Sequence, residues 1–238
     1  MDVVVAVTRD IPYYEGAYLQ ILLNDTNGNL IDVTENNFPD QIREASHHGE
    51  GNIYLRDFDL DGDLDLYVAG YVDFSRRPKD TSLRFPMDFG GLPNTLYENN
   101  GNGIFYNVTE RVKTLKDASR KSMQVIFHDF NEDGFPDLFV ANDTDANGFY
   151  LNRGDGSFKQ FSGPSGLGTT DGSMGIAIGD INLDGLTDII YTNYASEVNT
   201  VAYQIDNTTS NDGSLRNSIF MHDFDSPQSV SYTHLTMQ

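Results

Sequence analysis

Three stretches of the 238-residue chain align without a gap: Asp57-Phe58-Asp59-Leu60-Asp61-Gly62-Asp63-Leu64-Asp65, Asp129-Phe130-Asn131-Glu132-Asp133-Gly134-Phe135-Pro136-Asp137 and Asp180-Ile181-Asn182-Leu183-Asp184-Gly185-Leu186-Thr187-Asp188. Each reads D-x-D/N-x-D-G-x-x-D. Each runs directly into a β-branched or aromatic segment, Leu66-Tyr67-Val68-Ala69, Leu138-Phe139-Val140-Ala141 or Ile189-Ile190-Tyr191-Thr192, which predicts a strand after every loop. The chain ends fit the same template. Asp2 followed by Val3-Val4-Val5-Ala6-Val7 matches the close of a loop, and Ile219-Phe220-Met221-His222-Asp223-Phe224-Asp225 matches the approach to one. Both ends read as cuts inside a repeat. From Asp2 to Asp65, Asp137 and Asp188 the intervals are 63, 72 and 51 residues.

A second element recurs between the loops: Asn24-Asp25-Thr26-Asn27-Gly28, Asn99-Asn100-Gly101-Asn102-Gly103 and Asn152-Arg153-Gly154-Asp155-Gly156, with a weaker copy at Asn211-Asp212-Gly213. Asn-Gly and Asp-Gly pairs between apolar runs mark hairpins because both residues tolerate positive φ. Each repeat therefore has one strand before the acidic loop, one after it, and a hairpin carrying two more. In the third repeat these fall near 174–178, 189–193, 201–205 and 215–220. Four short antiparallel strands repeated at this interval predict an all-β fold, a β-propeller of four-stranded blades. The chain is read as incomplete, about three to four blades, with blade parts at 1–45, 46–112, 113–163, 164–217 and 218–229. Residues 230–238 break the repeat, and Val230-Ser231-Tyr232-Thr233-His234-Leu235 matches one reading frame of a sequencing adapter, so this tail is excluded from fold reasoning. Residues 109–122 carry little apolar periodicity and read as loop. Residues 72–94, with Pro78, Pro86, Pro93 and Gly90-Gly91, read as an insertion in the second blade that either shapes a binding surface or packs on its own blade.

The loops place oxygen-bearing side chains on alternate residues 1, 3 and 5, a glycine at 6 for a sharp turn, and a carboxylate at 9. A short backbone wraps a hard cation with six to eight oxygen ligands in this way. The expected ligands are Asp57, Asp59, Asp61 and Asp65; Asp129, Asn131, Asp133 and Asp137; and Asp180, Asn182, Asp184 and Asp188, with backbone carbonyls from Asp63, Phe135 and Leu186. Partial sites would use Asp2, Asp223 and Asp225. Calcium suits so flexible an all-protein cage better than magnesium, which demands stricter octahedral geometry. An EF-hand would need a bidentate Glu at position 12, where this chain has Val68, Val140 and Tyr191.

Composition agrees. The 36 acidic residues against 15 basic ones give a formal charge of −21, which repels nucleic acid and anionic lipid. Ten of the acids are the expected side-chain ligands of the three whole loops, and three divalent cations would bring −21 to −15. There is no cysteine and no apolar run of the roughly 18 to 20 residues that span a bilayer, so disulfides, thiolate metal sites and membrane insertion of this segment are not expected.

The loops, together with Asp65–Phe74, Leu96–Thr109, Val140–Thr144 and Gly172–Asp180, resemble FG-GAP or VCBS repeats, the blade unit of integrin α-like propellers. Within that family they are most similar to the bacterial branch associated with ASPIC/UnbV domains and to cartilage acidic protein. The resemblance implies a whole propeller of seven blades in an exported protein, at the cell surface, in the periplasm or extracellular, that works beside other domains of a longer chain. It implies a noncatalytic module for protein or glycan recognition and adhesion, with calcium as the bound ion. Two alternatives stay open: the propeller portion of a secreted polysaccharide-active enzyme, a lyase or hydrolase, or a pure scaffold. No G-x-S-x-G, P-loop or H-E-x-x-H motif is present; Gly163–Gly168 has the wrong spacing for a dinucleotide fingerprint, and His47-His48 lacks a third ligand. His128 and His222 directly precede Asp129 and Asp223 and read as frames of their loops rather than as catalysts.

Overall fold

The computed structural model describes residues 3–5, 19–39, 48–73, 86–112, 119–168, 172–181, 183, 185–193, 199–206, 216–223 and 235–236. They form two compact units, 1–122 and 123–238.

The first unit begins with a three-stranded antiparallel sheet: β1 (Val3–Val5), β2 (Gln20–Asn24) and β3 (Leu30–Asp32) in that order, followed by the short helix α1 (Thr34–Asn37). Its second sheet contains β4 (His48–Arg56), β5 (Asp65–Asp73), β6 (Gly90–Gly91), β7 (Thr95–Asn99) and β8 (Phe105–Asn107). The order is β4-β5-β7-β8, with β6 an added rung on β5. Acidic loop 57–65 joins the first two strands, and the Asn99–Gly103 turn joins the last two. Ile21 and Phe38 meet Leu66, Val68, Tyr97 and Phe105 in one buried cluster that binds the two sheets.

The second unit repeats this pattern with β9 (Ser122–His128), β10 (Asp137–Asn142), β11 (Gly148–Asn152) and β12 (Phe158–Gln160), then the short helix α2 (Ser162–Ser165). A further antiparallel sheet follows: β13 (Ser173–Gly179), β14 (Asp188–Asn193), β15 (Asn199–Asp206) and β16 (Arg216–Asp223), with β17 (Leu235–Thr236) on its edge. All four strands foreseen for the third repeat are present. The sequence reading takes Ile219–Asp225 as the opening of another repeat, whereas residues 216–223 all pair along β15, from Asp206↔Arg216 to Asn199↔Asp223. The core joins Phe130, Phe139 and Phe149 to Ile189 and Tyr191 of the next sheet.

Why the sheets are built this way is visible in burial. Strands β5 and β10, which follow the loops, are buried on both faces almost throughout, matching their unbroken apolar sequences, while β8 and β12 each bury only their first residue. Every sheet is antiparallel, and the described helices are four residues long. The fold is all-β, built from successive antiparallel sheets, three of which contain the four-strand frame of a propeller blade.

The fourth strand is closed by a repeated hydroxyl lock. Thr34 Oγ1 accepts the Ile21 N–H at 3.0 Å, Thr109 Oγ1 accepts Leu96 N–H at 2.9 Å, and Ser162 Oγ accepts Phe149 N–H at 2.8 Å, each across 13 residues. The residue before each hydroxyl donates its own N–H back to the same strand residue: Val33 to Ile21, Val108 to Leu96 and Phe161 to Phe149.

Of the insertion, residues 86–94 fold onto their own sheet. Gly90 and Gly91 pair with Asp73 and Val72, and Leu92 N–H donates to Tyr71 C=O at 3.2 Å. The segment passes so close to β5 that a Cβ on Gly70 would lie 2.5 Å from the Pro93 carbonyl oxygen. Residues 74–85 and 113–118 lie outside the described residues, as do His47, Asp2 and Asp225.

Candidate metal centre

The three acidic loops share one backbone frame. The residue at position 4 adopts positive φ, Leu60 at 63°, Glu132 at 56° and Leu183 at 63°, and the glycine at position 6 does so at 100°, 92° and 90°. Two left-handed residues so close together turn the chain back sharply, and only glycine takes such values without steric cost. The turn aims the position 6 amide at the position 1 carboxylate: Gly62 N–H donates to Asp57 Oδ2 at 3.2 Å, Gly134 N–H to Asp129 Oδ2 at 2.8 Å, and Gly185 N–H to Asp180 Oδ2 at 2.9 Å.

The ninth residue clamps the base of each loop. Asp65, Asp137 and Asp188 accept the N–H of position 2, from Phe58 at 3.1 Å, Phe130 at 3.1 Å and Ile181 at 2.8 Å. In the first two loops the other carboxylate oxygen accepts from the hairpin strand, Asn99 N–H at 3.0 Å and Asn152 N–H at 2.9 Å. Those asparagines answer with their side-chain amides, Asn99 to the Leu64 carbonyl and Asn152 to the Pro136 carbonyl, both at 3.1 Å. Each carboxylate oxygen has a second lone pair, so the ninth residue can hold the loop and still face an ion.

Within loop 57–65, Asp57, Asp59 and Asp61 each bring a carboxylate oxygen within 4.8 Å of the others. Ligands at about 2.3 to 2.6 Å from one calcium ion lie no farther apart than about 5 Å. Asp57 Oδ1 and Asp63 Oδ1 are shielded from solvent without a hydrogen-bond partner, an arrangement costly for anionic oxygen unless a cation faces it. These residues fit a divalent cation. Burial and the neighbouring charge of Asp61 push the Asp59 carboxyl up; burial, then Asp61, Asp59 and Asp57, do the same to Asp63. Burial raises Asp65 and Asp137 to about 7 against the pull of their amide donors.

In loop 129–137 the same positions are knitted to one another. Asp133 N–H lies 3.0 Å from Asp129 Oδ1 and 3.1 Å from Asn131 Oδ1, Asn131 Nδ2 donates to Asp133 Oδ2 at 3.0 Å, and Phe135 N–H donates to Asp133 Oδ1 at 2.9 Å. Loop 180–188 is described at Asp180, Leu186 and Asp188, whereas Asn182 and Asp184 lie outside the described residues. Asp223 ends β16 opposite Asn199.

The seventh residue, expected to offer a carbonyl, also uses its side chain against the hairpin turn. Gly101 N–H donates to the Asp63 carboxylate, and the Phe135 ring lies over Gly154, where a Cβ would come within 2.4 Å of it. Sequence reasoning did not reach the left-handed fourth residue, the Asn99 and Asn152 clasps or the hydroxyl locks. The available signals were the Asn that ends β7 and β11 and a hydroxyl residue 13 positions after a buried apolar one.

Taken together, three successive sheets that each hold four antiparallel strands in chain order, with an acidic loop between the first two, define a repeat protein built of propeller-type blades. The FG-GAP-like repeat family model matches residues 88–140 and 129–191, so this part of the chain carries FG-GAP-like repeats. Loop 57–65 lies outside the matched segments and carries the same frame. No curated protein matches the chain. Among solved structures, that of an Agrocybe aegerita lectin described as recognising non-reducing terminal N-acetylglucosamine aligns at 14% identity over 92% of this chain and 74% of that one, with a TM-score of 0.27. So loose a superposition carries no argument about fold or ligand. No helix of the described residues is long and apolar enough to cross a membrane.

Proposed function

We propose that this chain is part of an extracellular, calcium-binding recognition module that engages a protein or glycan without catalysing a reaction. The observation that carries the calcium reading is the convergence of Asp57, Asp59 and Asp61 above a shielded, unpartnered Asp57 oxygen, on a backbone frame common to three loops. Bound calcium would neutralise crowded carboxylates and hold the turn between first and second strands. Asp57, Asp59, Asp61 and Asp65 would hold it in the first loop, with the Asp63 carbonyl; Asp129, Asn131, Asp133, Asp137 and the Phe135 carbonyl in the second; Asp180, Asn182, Asp184, Asp188 and the Leu186 carbonyl in the third.

Export is supported by the FG-GAP-like repeats over residues 88–191 and by loops of the type that serve extracellular modules, with affinities of order 10⁻⁴ to 10⁻³ M. A noncatalytic role is supported by the use of the clustered carboxylates in the loop frames. The test is capture on immobilised glycans and extracellular matrix proteins, in calcium and in chelator. Calcium-dependent capture supports the proposal. Equal capture by calcium-stripped, still-folded protein would remove calcium from recognition, and turnover of a glycan on the array would replace recognition by catalysis.

A further inference from the structure

The sequence holds four Asn-Gly pairs, Asn27-Gly28, Asn100-Gly101, Asn102-Gly103 and Asn147-Gly148. In such a pair the glycine nitrogen can reach the asparagine side-chain carbonyl carbon, because no Cβ crowds its approach. The folded chain restrains three of the four. Asn147 is buried, its Oδ1 accepting the Asn142 N–H at 2.9 Å and its Nδ2 donating to Ser173 Oγ at 2.9 Å. Gly101 N–H donates to the Asp63 carboxylate, and Gly103 N–H donates to Asn99 Oδ1 at 2.9 Å.

The turn between β2 and β3 is wired differently. Its Asn24 occupies the place of Asn99 and its Gly28 that of Gly103, yet Asn24 Oδ1 accepts the Thr26 N–H at 3.0 Å. Among the described residues nothing accepts the Gly28 N–H, and Asn27 and Gly28 are both exposed. One long bond holds the Asn27 side chain, from Nδ2 to the Asp25 carbonyl at 3.4 Å. Thr26 adopts φ of 67°, where the next two turns place Gly101 and Gly154. A β-branched residue is strained in that conformation, so this turn resists rearrangement less than the other two.

We propose that Asn27 is a self-modification site at which the folded chain deamidates. The Gly28 nitrogen attacks Asn27 Cγ and forms an N–Cγ bond; the Cγ–Nδ2 bond breaks, and ammonia leaves with the proton of the Gly28 amide. Water then opens the cyclic imide at either carbonyl, leaving an aspartate or an isoaspartate at position 27. No oxidant or reductant takes part. Both products put a carboxylate where an amide donor faced the Asp25 carbonyl. Isoaspartate also lengthens the backbone between Asp25 and Asn29, whose N–H and C=O both bond to Asp25 and close the turn.

The test is incubation of the purified 238-residue chain in mildly alkaline buffer, with tryptic peptides read by mass spectrometry and isoaspartate scored by methyl transfer from an isoaspartyl methyltransferase. Asn27 should gain one mass unit at least about 5-fold faster than Asn100, Asn102 and Asn147, the factor that one net hydrogen bond supplies. In guanidinium chloride, which removes the folded-state bonds, the four should react at similar rates. Asn27→Gln should remove most of the isoaspartate formed by the folded chain. Native rates at Asn100 or Asn102 that equal or exceed the rate at Asn27 would overturn the proposal. So would an Asn27 that stays intact in the folded chain over the time in which the denatured chain reacts.

Discussion

Asp137 Oδ1 accepts the Asn152 N–H at 2.9 Å, and the Asn152 side chain donates to the carbonyl of the preceding residue, Pro136, at 3.1 Å. Asp65 and Asn99 repeat the arrangement in the preceding sheet. The ninth loop residue is therefore a structural clamp whether or not an ion is bound. In loop 57–65 the first, third and fifth residues converge instead on one point, where the proposed cation would offset their charge.

That division predicts two kinds of loop mutant. Asp137→Ala strands the buried amides of Phe130 and Asn152 and should cost about 2 to 5 kcal/mol even in chelator. Asp61→Asn, at an exposed residue, should change stability in chelator by no more than about 0.5 kcal/mol, yet reduce the stabilisation that calcium adds. Urea denaturation with and without calcium measures both. Equal losses for the two variants in chelator would contradict the division of labour.

The pH dependence follows from the same clamps. Asp65 and Asp137 titrate near 7 in the folded chain, against 3.8 for an unburied Asp, so between those values the folded state holds more protons than the unfolded state. Stability then falls as pH rises. In chelator, the contribution of these groups is fully present below about pH 4 and is lost as pH climbs toward 7. Calcium favours the ionised carboxylates and should flatten or reverse that slope. Thermal melts from pH 4 to 8 in chelator and in calcium test this, and identical profiles would contradict it.

The hydroxyl locks predict a stability effect independent of calcium. Ser162→Ala leaves the buried Phe149 N–H without its partner, at a cost of about 1 to 3 kcal/mol, whereas Ser162→Thr restores the chemistry found at Thr34 and Thr109. The two melting temperatures, compared in chelator, decide the matter; a Ser162→Ala protein as stable as the parent would show that the lock is dispensable.

Gly70 offers a packing test. A Cβ there meets the Pro93 and Leu92 carbonyl oxygens at 2.5 and 2.7 Å, both on backbone that cannot swing away like a side chain. Gly70→Ala should destabilise by about 1 to 3 kcal/mol by forcing residues 92–93 off β5. Unchanged stability would mean that this segment yields freely.

Much of this architecture was legible because its signals are local. Glycines 62, 134 and 185, with acids on alternate residues, fix three turns, and the apolar runs after Asp65, Asp137 and Asp188 can be buried on both faces only as central strands. The hairpins followed from Asn-Gly and Asp-Gly pairs. What escaped is non-local: Thr109 looks like an ordinary strand-end hydroxyl until folding brings it to Leu96, and His128 finds Thr187 across 59 residues. The extent of β16 was also hidden, because Ile219–Asp223 has the composition both of a strand before an acidic loop and of a partner for β15.

The most direct test of the central claim is equilibrium dialysis of the chelator-stripped chain against calcium, with bound metal counted by atomic absorption. At free calcium of a few millimolar, above the affinity range of order 10⁻⁴ to 10⁻³ M for such sites, the account predicts three ions per chain and the loss of one with Asp57→Ala. No bound calcium at that concentration, or an unchanged count in Asp57→Ala, would contradict it.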